Sequence, residues 1–331
     1  MDWKTIGSQI AAAVGEPLPP GRAWPIGGGQ INSAFRYEAG ERAWFVKLNR
    51  SERLPMFEAE AAGLQLLARP GGPRVPKVVT LGEVGGYAFL VLEYIPLKAV
   101  TGEAQALLGE RLAVLHAVTA ERYGWERNNT IGTTPQDNTP DSDWLRFYRE
   151  RRLLPQLERA AARGYSQLLT WAKPVLEQLE AFFDGYRPQP SLLHGDLWSG
   201  NVAVSLDGEP VIFDPACYFG DRETDLAMTE LFGGFTSNFY DAYQAAAPLH
   251  PGYPVRRDLY QLYHVLNHLN LFGASYLSRA ERLLERLVWS AAEGLPFARV
   301  AVIVNQQAFT KTANCWGVSN NASGTNTNRI V

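Results

Sequence analysis

Up to about Glu93 the apolar positions fall in short alternating runs, and beyond it they recur mostly at helical spacing. Trp24-Pro25-Ile26 predicts a strand that leads into Gly27-Gly28-Gly29-Gln30-Ile31-Asn32-Ser33. Ala34-Phe35-Arg36-Tyr37 and Ala43-Trp44-Phe45-Val46-Lys47-Leu48 flank the polar turn Glu38 to Glu41, which predicts a hairpin. The period then changes. Phe57, Ala61, Leu64 and Leu67 mark a helix from Met56 to Leu67, ended by Pro70-Gly71-Gly72-Pro73. Val78 to Gly82 and Tyr87 to Tyr94 predict two more strands around Gly85-Gly86, and Pro96 closes the second.

Glu103 to Val118, Ser142 to Ala162, Gln167 to Phe183, Thr224 to Phe235 and Arg256 to Leu287 predict helices. Asn128 to Asp141, rich in Asn, Thr, Pro and Gly, predicts a loop. Ser191 to Phe213 interrupts the helical trend with short apolar runs around polar turns. The pattern divides the chain into a small strand-rich lobe (1–93), a larger helical lobe (94–290) and a tail (291–331) with no assigned role. The tail is rich in Asn, Thr and Ser; Val300 to Val304 predicts a short strand there, and the rest resembles a disordered segment.

Composition narrows the function classes. The 331 residues are 46% hydrophobic, enough for one large core or two smaller ones. The net charge is -3 and no basic stripe is visible, which argues against a nucleic-acid partner. The densest basic run, Arg146, Arg149, Arg151 and Arg152, lies on a predicted helix and is expected to be solvated or locally paired. Two cysteines, Cys217 and Cys315, fit neither a zinc site nor a secreted disulfide scaffold. No signal pattern and no run of about 18 apolar residues is present, so the expected setting is the cytoplasm, with no membrane.

The chemistry concentrates in His194-Gly195-Asp196-Leu197-Trp198-Ser199-Gly200-Asn201. An aspartate on a loop with an asparagine five positions later suits phosphoryl transfer. Asp196 would orient or deprotonate a hydroxyl, and the Asn201 amide oxygen would bind magnesium. Asp214, at the end of the apolar run Val211-Ile212-Phe213, supplies a second hard oxygen ligand. Lys47 sits inside an apolar strand and needs a partner, because an unpaired buried ammonium is costly. Glu60 on the following helix is favoured over Glu58, which points to a different face. Gly27, Gly28 and Gly29 would let backbone approach phosphates, although no Walker motif follows. Glu93, Tyr94 and Ile95, where the small lobe ends, would offer backbone groups to adenine by position alone.

Together, Gly27-Gly28-Gly29-x-Ile31-Asn32, Phe45-Val46-Lys47, Phe57-Glu58-Ala59-Glu60, the His194 to Asn201 stretch, Asp214-Pro215-Ala216 and Gly220-Asp221-Arg222-Glu223-x-Asp225 resemble the fructosamine (ketosamine 3-) kinase family. The resemblance extends to Tyr123-Gly124-Trp125, Asn129-x-Ile131-Gly132 and Tyr263 to Gly273. It implies an α+β, two-lobed protein-kinase-like fold shared with aminoglycoside and choline kinases. It also implies ATP and Mg2+, and transfer of the γ-phosphoryl group to O3 of a sugar attached to an amine, with release of that amine. By the same resemblance Asp196 is the base, Asn201 and Asp214 bind metal, and Lys47, paired with Glu60, binds phosphates. Asn32 belongs to the nucleotide loop, and Asp225 anchors the catalytic loop. Trp198, Asp221, Asn267 and His268 are the substrate candidates; an indole face suits a sugar ring or a nearby cation. Gln30 stands where some relatives carry a cysteine, so no redox switch is expected in the loop. A related small-molecule kinase and a catalytically dead binding module are the alternatives. Oligomeric state is left open.

Overall fold

The structure is a computed structural model that describes residues 1–27 and 31–293. Gly28, Gly29, Gln30 and the strand expected at Val300 to Val304 lie outside the described residues.

The chain opens with helix α1 (Trp3–Val14), capped by the Asp2 side chain on the Thr5 N–H and ended by left-handed Gly15. Strands β1 (Arg22–Ile26), β2 (Ser33–Ala39) and β3 (Arg42–Arg50) follow, then helix α2 (Leu54–Leu67), β4 (Val78–Val84) and β5 (Tyr87–Glu93). The five strands form one antiparallel sheet in the order β1-β2-β3-β5-β4. Its two faces follow the two-residue period of a strand. Trp44, Val46 and Leu48 of β3 and Phe89 and Val91 of β5 pack with Ile6 and Ile10 of α1. Ala88, Leu90 and Leu92 pack with Phe57, Ala61, Leu64 and Leu67 of α2. Lys47 alternates with Val46 and Leu48, so the register that buries those residues against α1 directs Lys47 to the α2 face.

The second lobe begins at once. β6 (Leu97–Lys98) pairs with β10 (Val202–Ser205), which pairs with β11 (Pro210–Ile212). Helix α3 (Gly102–His116) and the hairpin β7 (Asn129–Ile131) and β8 (Thr134–Gln136) lie between. Helices α4 (Trp144–Tyr148), α5 (Leu154–Ala162) and α6 (Ser166–Glu177) precede β9 (Ser191–Leu193), which pairs with β12 (Tyr218–Gly220). Helices α7 (Glu223–Leu231), α8 (Ser237–Ala246), α9 (Tyr253–Phe272) and α10 (Leu277–Glu293) complete the described chain. The architecture is α+β, an antiparallel N-lobe sheet above a helical C-lobe in a protein-kinase-like arrangement.

Several elements differ from the pattern-based expectation. The segment expected as a loop contains the β7–β8 hairpin. Helices α1 and α8 are additional to the expected set, although Asp2, Ile6, Ile10 and Gly15 carry the capping and spacing signals of α1. The single helix expected from Arg256 to Leu287 is two, because Gly273 takes φ 92° and breaks it. Between α4 and α5 a π-helical turn spans Arg149–Leu153. Pro155 has no N–H to return to the Arg151 carbonyl, and that oxygen instead accepts from the Arg152 guanidinium at 3.0 Å. Arg152 also departs from the expected solvated face. It is fully buried, stacked 4.1 Å from the Tyr218 ring centroid and bonded to Asn138.

Candidate active site

The catalytic-loop candidate runs between β9 and β10, and it is held from beneath. Asp225, in the first turn of α7, accepts from the backbone N–H of His194 at 2.7 Å and of Gly195 at 2.8 Å. His116 at the end of α3 approaches the same carboxylate at 3.2 Å. Burial alone would raise Asp225, but the His116 contact and the backbone donor hold its carboxyl below the usual range. The His194 ring spans the loop: Nε2 lies 3.0 Å from the Phe213 carbonyl, and Nδ1 accepts from the Asp196 N–H at 3.3 Å. Gly195 is at φ 83°, and a Cβ there would lie 2.1 Å from the Ala216 carbonyl oxygen. No side chain fits, which is the physical reason for glycine between the histidine and the aspartate.

Asp196, half-buried, follows on this loop with its N–H tied to the His194 ring. Burial, followed by the charges of Asp214 and Asp225, pushes its carboxyl up to about 7. Asn201 donates through Nδ2 to the Asp196 carbonyl at 2.9 Å, which leaves its Oδ1 as the outward acceptor. Asp214 is the one non-glycine residue with positive φ (57°) among the described residues. That conformation costs strain, and it aims the carboxylate at the cleft.

Lys47 lies between two carboxylates. Its Nζ is 2.5 Å from Glu60 and 2.5 Å from Asp214, with Lys47 almost fully buried and the Asp214 side chain 49% exposed. Burial alone would lower the lysine, but the charges of Asp214 and Glu60 hold it above its ordinary value. Glu60 is raised by burial against the pull of Lys47. Glu58 is exposed and takes no part.

The residues expected at the nucleotide end are placed unevenly. Among the described residues no atom lies within 4 Å of the point where a Cβ on Gly27 would sit. Asn32 is tied to β3, its Oδ1 accepting from Asn49 at 2.7 Å. At Glu93 the backbone N–H is already paired. Its N–H bonds the Lys77 carbonyl at 2.8 Å and its carboxylate takes Arg74 at 2.6 Å. Tyr94 lies under the Arg36 guanidinium, and Ile95 is buried beside it in sequence.

The substrate candidates divide into two groups. Trp198 is 37% exposed, and its indole lies across Gly200, where a Cβ would sit 2.2 Å from the ring. Trp198 meets Phe232 edge-on at 6.2 Å, and Phe232 lies 4.8 Å from His268. Phe272 and Tyr276 flank His268 at 5.5 and 5.1 Å. These rings form an aromatic wall, a continuous set of contacts that begins at Trp198, two residues after Asp196 in the chain. The other two candidates do not reach it. Asp221 is fully buried and accepts from Tyr186, Tyr260 and the Glu223 N–H, so its oxygens are already occupied. Asn267 is buried, and its Oδ1 accepts from Gln156 at 3.1 Å. Motif proximity placed both in the expected substrate set, and burial removes them from the cleft surface. Phe232, Phe272 and Tyr276 are additions to that set. The spacing of His268 and Phe272, one helical turn apart, is a signal for Phe272 alone.

A five-stranded lobe carrying a glutamate-paired lysine, above a loop pinned by a buried aspartate, defines a phosphotransferase of the protein-kinase-like class. The chain belongs to the fructosamine kinase family, whose model matches residues 2–290. It is 42% identical over 285 residues to a probable ketoamine kinase of Synechocystis sp., covering 86% of this chain and 96% of that one. It is 43% identical over 264 residues to the chloroplastic protein-ribulosamine 3-kinase of Arabidopsis thaliana, covering 78% and 80%. A crystal structure from Haemophilus somnus, given the name fructosamine-3-kinase by inference, superposes with a TM-score of 0.79 at 30% identity, covering 86% and 97%. The protein is therefore an ATP-using kinase that phosphorylates a hydroxyl group.

Proposed function

We propose that the chain transfers the γ-phosphoryl group of ATP to the 3-hydroxyl of a ketosamine, a sugar joined through its first carbon to an amine. The observation that supports this most directly is the continuity of Asp196 with the exposed Trp198 face and the wall beyond it. A sugar ring stacked on an indole places its hydroxyls over the adjacent loop, within reach of the carboxylate. Asp196 accepts the proton of O3 as the O3–phosphorus bond forms and the bond from phosphorus to the bridging oxygen breaks, releasing ADP. Lys47, held straight by Glu60, binds the nucleotide phosphates. The 3-phosphate product is unstable and gives up the free amine, so the net effect is deglycation.

The donor set fits magnesium. Asn201 presents an amide oxygen, and Asp214 presents a half-exposed carboxylate fixed by an unusual backbone angle. Magnesium supplies neutralisation of phosphate charge when bound. Lys47 now occupies the Asp214 carboxylate, and the shared contact keeps that group oriented toward the phosphate position.

The compartment we propose is the reducing cytoplasm. Cys217 is a buried free thiol, and among the described residues no helix is long and apolar enough to cross a membrane.

The test is ATP consumption with fructosyl-lysine and ribulosyl-lysine, with the 3-phosphate identified by NMR. Turnover is expected on at least one ketosamine. Phosphorylation of an aminoglycoside or choline with none on any ketosamine would discard this reading.

A further inference from the structure

The β7–β8 hairpin carries a chain of buried polar side chains that the chemistry above does not use. Asn129 and Gln136 lie on its two strands, Asn138 follows β8, and Arg152 and Tyr263 reach in from the π-helical turn and from α9. Their contacts run in one order. The Arg152 guanidinium donates to Asn138 Oδ1 at 2.6 Å, and Asn138 Nδ2 donates to Asn129 Oδ1 at 2.9 Å. From the other side the Tyr263 hydroxyl donates to Gln136 Oε1 at 2.8 Å, and Gln136 Nε2 donates to the same Asn129 oxygen at 3.1 Å. Asn129 Nδ2 then donates to the Cys217 carbonyl at 2.8 Å.

The ends of the chain set its direction. A guanidinium has no acceptor, so Asn138 turns its oxygen to Arg152 and its nitrogen to Asn129. Asn129 therefore receives two N–H donors on its oxygen, and its nitrogen faces the Cys217 carbonyl. A reversed Asn129 would set its NH2 against two other NH2 groups and its oxygen against a carbonyl. In a buried site such mismatches are costly, so the orientation is locked.

The chain of contacts ends beside the catalytic machinery. Cys217 lies three residues after Asp214. Between them, the Ala216 N–H donates to the His194 carbonyl at 2.8 Å, and the Ala216 carbonyl is the group that excludes a side chain at Gly195. Gln136 reaches that carbonyl only at 3.5 Å, a weak contact, so Asn129 makes the effective tie to this segment. Asp214 itself holds φ 57°. A residue in that conformation persists only where its surroundings over-determine it.

We propose that Asn129 is a positioning residue for phosphoryl transfer. Its amide fixes the Cys217 carbonyl, and through this short turn it holds Asp214 in the strained conformation that presents its carboxylate. Gln136 and Tyr263 act behind it by fixing the direction of that amide. The assignment rests on the reading of Asp214 as a ligand of the magnesium–nucleotide complex.

The experiment measures AMP-PNP affinity by calorimetry, with and without Mg2+, in the wild type and in Asn129→Asp, Tyr263→Phe and Asp214→Asn variants. Asn129→Asp keeps the shape and the accepting oxygen, and it puts a second oxygen where Nδ2 faced the Cys217 carbonyl. Magnesium should tighten AMP-PNP binding to the wild type. That gain should shrink about tenfold in Asn129→Asp and by a smaller factor in Tyr263→Phe, with metal-free affinity unchanged in both. The kcat should fall in the same order, while the KM for the ketosamine stays at its wild-type value. A lower melting temperature with the magnesium gain intact overturns the proposal and leaves Asn129 as a packing residue. If Asn129→Asp does not fold, Tyr263→Phe, which loses only a hydroxyl, decides by the same measure. A gain lost in Asp214→Asn but kept in the other two variants overturns the positioning role and leaves the metal reading intact. A gain that survives Asp214→Asn overturns the metal reading, and the positioning role falls with it.

Discussion

Two buried ionic clusters in this protein use the same chemistry to opposite ends. In the cleft, Lys47 sits between Glu60 and Asp214. Inside the C-lobe, Arg256 grips Glu223 through Nε at 2.7 Å and Nη2 at 2.9 Å, with both side chains at 0% exposure. Asp221 stands beside this second pair, closed off by two tyrosine hydroxyls and a backbone N–H. The inner cluster is complete within itself. It fixes the start of α7, and through α7 it positions Asp225 beneath the His194 and Gly195 backbone. The cleft cluster is left incomplete by its exposure: one of its carboxylates is half in water and open to exchange a lysine contact for a ligand. Burial, not residue type, separates scaffold from site.

The inner cluster is most sensitive at Arg256. Arg256→Met strands a buried carboxylate and should cost about 3–5 kcal/mol of stability, read from urea unfolding. Adding Glu223→Gln should restore much of that loss. Lys47→Met should cost less than about half as much, because Asp214 can turn to water and Glu60 can take a proton. A larger loss at Lys47 than at Arg256 would invert the contrast between the two clusters.

Activity should respond in the reverse order. Asp196→Ala should lower kcat at least about a hundredfold in an ADP-release assay. Lys47→Met should lower kcat/KM by about a hundredfold. A near-normal rate in the first variant would mean that another group takes the proton.

The pH dependence of stability offers a finer probe. The Asp196 carboxyl is at about 7 in the fold against an ordinary 3.8, so the native state holds a proton that the unfolded chain releases. Its contribution is fully present below about pH 4 and is lost as pH rises through about 7. Asp196→Asn removes that penalty. Without nucleotide or metal, its melting temperature should exceed that of the wild type at pH 8 and match it near pH 4. An equal gain at both pH values would place the effect elsewhere.

The smallest effect is expected on the open wall. Trp198→Ala should raise KM for a ketosamine about fivefold to tenfold, in line with about 1 kcal/mol for an exposed stacking or cation contact, with a smaller change in kcat. A loss confined to kcat would show that Trp198 shapes the loop through Gly200 and does not hold the sugar.

Local pattern was enough to mark β2, β3, β5, α2 and α3, because each buries one face at a regular period. It also marked Asp196, Asn201 and Asp214 as a set, since a short loop and the following hairpin keep them close in sequence. Lys47 was conspicuous as a charge inside an apolar strand, and Glu60 as a carboxylate on the next helix. Other features left no local trace. Asp221 and Trp198 are both polar-capable residues in motif-like stretches, and only packing decides that one is sealed under Tyr186 and Tyr260 while the other faces the cleft. The contacts from Trp198 to Phe232 and from Phe232 to His268 join residues far apart in the chain. The sequence by itself determined the strongly periodic elements, the candidate site motif and the family, because those depend on short-range periodicity and motif spacing. Tertiary structure alone decided which charges are sealed and which are open, because burial is a property of the elements packed around a residue and not of the residue itself.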